Sequence, residues 1–345
     1  MVSGRSARVR WGSWLLAGAM ALLGAVAAQA QTPVRFSLDW RWEGPAAPFA
    51  VALDKGYFKD EGLDVTIDPA AGSREPISRV ASGTYDAGFG DVNSLVRFRD
   101  ENPGTDIRAV MVMYDRPPFA IIGRKSRGIT KEVSSLQGKK FGAPAGDGAF
   151  AQWPIFKAVN GIDDSSMQFE NVGFPVREPM LAQGEVDAVF GFAMSSYINL
   201  KSRGVPTDDI VVLPMSDYGV DLYGNAIIVS EKFAKEKPEA VKGLLRAIMK
   251  GVHDTIKDPE SAVDSVIKRN DIAKKDVELE RLKMVLEQNM LTPWVKENGF
   301  GGIDSARFAK ALDQIGLAFT YREKPSVESV FTEEFLPAAD QRKVH

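Results

Sequence analysis

Ala52-Leu53-Asp54-Lys55-Gly56-Tyr57-Phe58-Lys59-Asp60-Glu61-Gly62-Leu63-Asp64-Val65 is the stretch on which the fold turns. Its first residues close an apolar, Ala-rich segment, Gly56 suits the left-handed turn that stops a helix, and Leu63 to Ile67 alternates as a strand does. A helix is handed directly into a sheet. Upstream, Val34, Phe36 and Leu38 alternate with Arg35, Ser37 and Asp39, which predicts a first strand with one buried face. Trp40 to Pro45 breaks that pattern, and a helix is expected from Ala47 or Pro48. Downstream, Gly72-Ser73 reads as a turn and N-cap, and Ile77, Val80 and Ala81 give the next helix its apolar stripe up to Gly83. Strand, loop and helix recur at this spacing, which implies a parallel α/β sheet.

An internal repeat extends the reading. Gly83-Thr84-Tyr85-Asp86-Ala87-Gly88-Phe89-Gly90 matches Gly184-Glu185-Val186-Asp187-Ala188-Val189-Phe190-Gly191 at five of eight positions, each copy following a short amphipathic helix (Ile77 to Ser82, Glu178 to Gln183). Two α/β turns can converge on such a pattern, but two similarly built lobes explain it better. The first lobe is expected over residues 31–120 and again over 226–345, the second over 121–225. Phe119 to Ile122 reads as the first crossing strand, Phe141 to Ala143 and Ile210 to Leu213 as second-lobe strands, and Ala226 to Val229 as the return. From Lys237 onward apolar stripes such as Val241, Leu244, Leu245 and Ile248 give helix after helix, read as packing surfaces that buttress the first lobe and carry no chemistry.

The ends and the composition narrow the function classes. Arg5, Arg8 and Arg10, the uncharged run from Gly12 to Ala28, and Ala28-Gln29-Ala30 have the order of an export signal, with cleavage expected after Ala30. A membrane anchor is the other reading of that run. Removing the three arginines takes the formal charge from −3 to −6, which argues against a nucleic-acid partner. With no cysteine there is no disulfide, thiolate metal site or lipid-accepting Cys, so the expected product is a soluble periplasmic monomer. His253 lies in a helix and His345 ends the chain, so no catalytic Ser/His/Asp set, metal site or cofactor is expected.

Ligands of open α/β sheets bind at the carboxyl ends of the strands. That rule picks out Trp40, Ser73 and Asp91 in the first lobe and Asp147, Ala149 and Phe192 in the second, with Tyr114 and Tyr223 near the crossings. The rings supply flat apolar walls, and Asp91 or Asp147 accept from an amine or amidine. Asp91 also reads as an ordinary N-cap, and Trp40 as core packing. Free backbone N–H groups at Gly72-Ser73 and Gly148-Ala149 would instead suit a carboxylate, sulfonate or nitrate.

Gly56-Tyr57-Phe58, Glu61-Gly62-Leu63-Asp64-Val65, Gly72-Ser73, Gly83 to Asp86, Leu136-Gln137-Gly138-Lys139-Lys140 and Gly184 to Asp187 stand in the order seen in the solute-binding proteins of nitrate/sulfonate/taurine-class importers, the SsuA/THI5-like (NMT1) group, which the chain resembles over nearly its whole length. The resemblance implies a two-lobe, type II periplasmic binding protein fold with two crossings. It also implies a small molecule held between the lobes and delivered to an inner-membrane ABC permease and its ATPase. Leu38-Asp39-Trp40 is similar to the branch that handles thiamine-precursor pyrimidines, but Arg41 to Ala47 stands where that branch shows an Asn and a His. A heteroaromatic, pyrimidine-like or amino-bearing ligand is expected, with a sulfonate, nitrate or taurine-type anion as the alternative. Yeast-type pyrimidine synthases and porphobilinogen deaminase-like enzymes resemble the same fold. The resemblance gives those enzymes His and Cys residues that are missing here, so a binding protein and not an enzyme is expected.

Overall fold

The computed structural model describes residues 30–344, with Met1 and Gly4. The export signal and the anchor alternative concern residues 1–30 and so lie outside the described residues, those three positions apart. Among the described residues no helix is long and apolar enough to cross a membrane.

Ten strands build two sheets: β1 (Thr32–Ser37), β2 (Leu63–Asp68), β3 (Ala87–Asp91), β4 (Ile107–Val112), β5 (Phe119–Arg124), β6 (Lys140–Gly142), β7 (Gln168–Glu170), β8 (Ala188–Phe192), β9 (Ile210–Pro214) and β10 (Asn225–Ser230). Their orders are β2-β1-β3-β10-β4 and β7-β6-β8-β5-β9. In the first sheet β10 runs antiparallel to both neighbours, and in the second β5 does. The remaining pairs, β1 with β2 and β3, and β6 with β7 and β8, are parallel. The two lobes therefore share one topology, and the odd strand in each is the first that the chain forms after crossing over.

The repeated motif occupies equivalent places. Gly83 (φ 72°) and Gly184 (φ 80°) end their helices in the left-handed conformation. Three residues later Asp86 Oδ2 accepts from Arg35 N at 2.7 Å, and Asp187 Oδ2 accepts from Lys140 N at 3.0 Å. Asp86 thus fixes β1 to β3, and Asp187 fixes β6 to β8. The first lobe packs Phe49 between Phe36 and Phe89, with ring centroids 5.3 Å apart on both sides. The second has Phe141, Trp153 and Phe190 at its centre.

Three local expectations are corrected. Phe119 to Ile122 is not a crossing but the first four residues of β5, inside the second sheet between β8 and β9. The crossings are the non-strand segments 113–118 and 215–224, as befits Pro117-Pro118, which cannot donate to a ladder. Gly72-Ser73 does not cap the following helix. That helix is Glu75–Ala81, Arg74 stands at its N-cap without a side-chain bond, and Gly72 takes φ 115°. The residues after β6, where the run Ala149 to Val159 reads from the sequence as one helix, form two, Gly148–Ala151 and Trp153–Asn160, with Pro154 in the first turn of the second.

The C-terminal helices do more than buttress. The stripe of helix Pro238–Lys257 is fully buried at Val241, Leu244, Leu245 and Ile248 as expected. From helix Ser305–Ile315, however, Arg307 clasps both crossings: Nη1 donates to Asp115 Oδ1 at 2.9 Å and Nη2 to the Leu222 carbonyl at 2.9 Å, with the guanidinium 4.1 Å over the Tyr223 ring. From helix Lys275–Val285, Arg281 reaches the second lobe, donating to the Ser195 carbonyl and Asn199 Oδ1, each at 3.3 Å.

Candidate functional site

The carboxyl ends of the parallel strands of both sheets converge on one cavity of about 420 Å³. Its first-lobe wall is Asp39 and Trp40 after β1, Gly72 and Ser73 after β2, Phe89 on β3 and Tyr114 after β4. The second lobe contributes Asp147 and Gly148 after β6, then Phe174, Arg177 and Glu178 from helix Phe174–Gln183, then Phe192 at the end of β8. The lobes touch across the cleft: Trp40 and Phe174 meet edge to face at 5.1 Å. A Cβ on Gly72 would lie 3.2 Å from both the Gly146 carbonyl oxygen and the Phe174 ring. This is a closed conformation.

Of the residues singled out from the sequence, Trp40, Ser73, Tyr114, Asp147 and Phe192 lie on the cavity wall. Asp91, Ala149 and Tyr223 do not. Asp91 is fully buried as the N-cap of helix Val92–Glu101, accepting from Asn93 N (3.0 Å), Asn93 Nδ2 (2.7 Å), Ser94 N (2.9 Å) and Ser94 Oγ (2.6 Å). Ala149 is buried, and its N–H donates to Asp147 Oδ1 at 2.8 Å. The Tyr223 hydroxyl accepts from Asp304 N at 2.9 Å, within the hinge beneath Arg307.

Asp147 is more engaged than its sequence position suggests. Oδ1 takes the N–H groups of Ala149 and Phe150, and Oδ2 takes Arg177 Nη1 at 2.7 Å. Arg177 Nε and Nη2 in turn donate to Glu178 Oε1, which also receives Ser196 Oγ at 2.8 Å. Burial pushes the Asp147 carboxyl above its ordinary range, with Arg177 and the two backbone donors opposing.

Asp39, Phe174, Arg177 and Glu178 are not among the residues the sequence singles out, whereas Glu43 falls in the loop Trp40 to Gly44 that the carboxyl-end rule picks out. Asp39 was read as the polar phase of a strand, although it directly precedes Trp40 at a carboxyl end. The short strand β7 has no alternation signal in Gln168–Glu170, and the helix after it starts at Phe174, four residues before the expected Glu178; its signal is Gly173-Phe174-Pro175, with Pro in a first turn. Burial pushes Asp39 up to about 7, against its own backbone donor and Asn225 Nδ2 at 2.7 Å, with the charges of Glu43 and Asp91 adding to the rise. Glu43 is also raised by burial, opposed by Arg281, whose Nε lies 3.5 Å from its Oε2. The cavity wall thus holds four carboxyl groups, Asp39, Glu43, Asp147 and Glu178, around one buried cation, Arg177; Arg41 and Arg203 stand exposed at the mouth. Among the described residues no group of His, Cys, Asp or Glu could hold a metal ion.

Residues 45–262 match the family model described as NMT1/THI5 like. The riboflavin-binding protein RibY of Chloroflexus aurantiacus is 27% identical over 84% of this chain and 82% of its own. A formylaminopyrimidine-binding protein of Halalkalibacterium halodurans is 27% identical over 87% and 89%. A 4-amino-5-hydroxymethyl-2-methylpyrimidine phosphate synthase of Saccharomyces cerevisiae is 26% identical over 66% and 68%, so binding proteins and enzymes both occur among the relatives. Among solved structures, the periplasmic aliphatic sulphonate binding protein SsuA of Escherichia coli superposes with a TM-score of 0.68 at 13% identity, covering 86% of this chain and 91% of its own. The family match over more than half the chain, together with two sheets of one topology facing a shared cleft, makes this chain a member of the NMT1/THI5-like family with the two-lobe fold of the periplasmic solute-binding proteins.

Proposed function

We propose that this chain is the substrate-binding component of an ABC-type importer, capturing a flat, amino-bearing or otherwise N–H-bearing heteroaromatic compound between its lobes. The observation that carries the ligand class is the cavity wall: carboxyl groups outnumber buried cations, and Trp40, Phe174 and Phe192 offer flat faces. A sulfonate, nitrate or taurine-type anion would face Asp39, which has no cationic partner among the described residues, and Glu43, whose ion-pair partner, Arg281, stands 3.5 Å away. The names of the riboflavin- and formylaminopyrimidine-binding relatives agree with this class. For binding rather than synthesis speak the absence of cysteine from the sequence and the place of His253, outside the cavity wall, where Nε2 donates to the Gln341 carbonyl.

On this reading the working protein is a periplasmic monomer, released after Ala30, with its lobes divided at about residues 120 and 225. It hands its ligand to a membrane permease driven by an ATPase. Native mass spectrometry of protein purified without refolding tests the ligand class. A copurifying neutral or cationic heteroaromatic mass is expected, and a sulfonate or nitrate would overturn the assignment.

A further inference from the structure

We infer that Asp39 and Tyr114 form the polar edge that reads the ligand, accepting its N–H with Asp39 and donating to an adjacent ring nitrogen or carbonyl oxygen with the Tyr114 hydroxyl. This deepens, and rests on, the heteroaromatic reading above.

Two independent observations carry it. The first is what the protein leaves unbonded. Tyr114 is only 2% exposed and lines the cavity, yet its hydroxyl has no hydrogen-bond partner among the described residues. The hydroxyl is not one of the fully enclosed unpaired atoms, which among the described residues are Glu43 Oε2, Glu170 Oε2 and Asn225 Oδ1, so it is open to the cavity, where a ligand can supply the partner the protein does not. Asp39 uses Oδ2 for Asn225 Nδ2 and leaves Oδ1 without a side-chain donor. In Asp91, by contrast, both oxygens are taken by the helix it caps.

The second observation is that both groups are rigidly held from behind. The Tyr114 ring stands edge-on to Phe89 at 5.2 Å and 87°, so its hydroxyl direction is set by packing. Its backbone N–H bonds to the Asn225 carbonyl at 3.0 Å, and the side chain of that same Asn225 holds Asp39. One residue at the start of β10 thus ties together the ends of β1 and β4. The two groups also sense each other, since the charge of Asp39 adds to the burial that raises the Tyr114 hydroxyl. An acceptor and a donor on one wall, both tied to Asn225, with Trp40 and Phe192 also on the wall, complement a heterocycle edge in which an N–H neighbours an acceptor. A ring N–H beside a carbonyl has that pattern, and so does an exocyclic amino group beside a ring nitrogen.

The test uses two probes that share this edge, riboflavin and 4-amino-5-hydroxymethyl-2-methylpyrimidine. Each is paired with a blocked analogue: N3-methylriboflavin, and the pyrimidine with methyl in place of its amino group. Calorimetric titration of wild type, Tyr114→Phe and Asp39→Asn identifies which probe binds. For that probe, wild type is expected to discriminate against the blocked analogue, and each variant to bind the parent about tenfold more weakly and to lose most of that discrimination. Both substitutions keep the shape of the side chain, and thermal melts verify that the variants fold. If wild type binds a probe and both folded variants bind it equally well, this inference is overturned while the ligand class stands. If wild type binds neither probe, the heteroaromatic reading fails and this inference falls with it.

Discussion

Arg177 Nη1 lies 2.7 Å from Asp147 Oδ2, the two side chains 5% and 4% exposed, thirty residues apart in sequence and on the floor of the ligand cavity. The pair fixes the loop after β6 to the helix after β7, and so shapes the second-lobe wall. Arg177→Met should be costly, because it leaves Asp147 and Glu178 as buried carboxylates facing each other without their shared cation. A loss of about 3–5 kcal/mol is expected, read as a lower denaturant midpoint in urea unfolding. A loss under about 1 kcal/mol, the range of exposed pairs, would show that water reaches the site.

Asp39 should give the native state a distinctive pH dependence. Its folded value of about 7 stands above the ordinary 3.8, so in that window the native protein keeps a proton that the unfolded chain has lost. Stability from this group is complete below 3.8 and falls as pH rises through 7, by at most about 1.4 kcal/mol per pH unit. Asp91, Asp147 and Glu43 are also raised and contribute with the same sign. The informative quantity is therefore the difference between wild type and Asp39→Asn, whose unfolding free energy should depend less steeply on pH between about 4 and 7. Parallel profiles would mean that Asp39 is solvated in the native state.

The repeated aspartates should be energetic equivalents. Asp86→Ala and Asp187→Ala each remove the acceptor for a backbone N–H at the edge of a strand, at Arg35 and Lys140 respectively. Each is expected to cost about 1–2 kcal/mol. Because the two lie in different lobes, the double variant should lose the sum within about 0.5 kcal/mol. The Arg127 partner of Asp187 is exposed and should add little. Equilibrium unfolding of the three variants measures this, and a strongly unequal pair would break the correspondence.

Closure should depend on the bare backbone at Gly72. A side chain there would meet the Gly146 carbonyl and the Phe174 ring at 3.2 Å, and φ 115° is a conformation L-residues rarely adopt. Gly72→Val is therefore expected to fold but to close incompletely, weakening ligand binding by about tenfold or more. Small-angle scattering at saturating copurified ligand should show a smaller radius of gyration for wild type than for the ligand-free protein, and little change for the variant. Equal contraction in both would place the closing contacts elsewhere.

The sequence by itself made most of the strands and helices, the two-lobe plan and the equivalence of the repeats legible, with β7 (Gln168–Glu170) the strand it did not show. Those features rest on local physics: helix stops at Gly83 and Gly184, alternation in Leu63–Asp68, and stripes such as Val241, Leu244, Leu245 and Ile248. It also placed Trp40, Tyr114 and Phe192 near strand ends, because the carboxyl-end rule follows from α/β topology. What it could not decide was which polar group at a strand end remains open. Asp39 and Asp91 both stand at carboxyl ends of neighbouring parallel strands. A helix begins immediately after Asp91 and claims both its oxygens, whereas the irregular loop after Asp39 leaves Oδ1 without a side-chain donor. Arg281 and Arg307 looked like ordinary polar positions on C-terminal helices. Their roles appeared only when the fold brought them to residues some eighty to two hundred positions away, Ser195 and Asn199 for one, Asp115 and Leu222 for the other. Local propensity does not encode contacts at that separation; they exist because the packed lobes bring those guanidinium groups to carbonyl and carboxylate oxygens that require a donor.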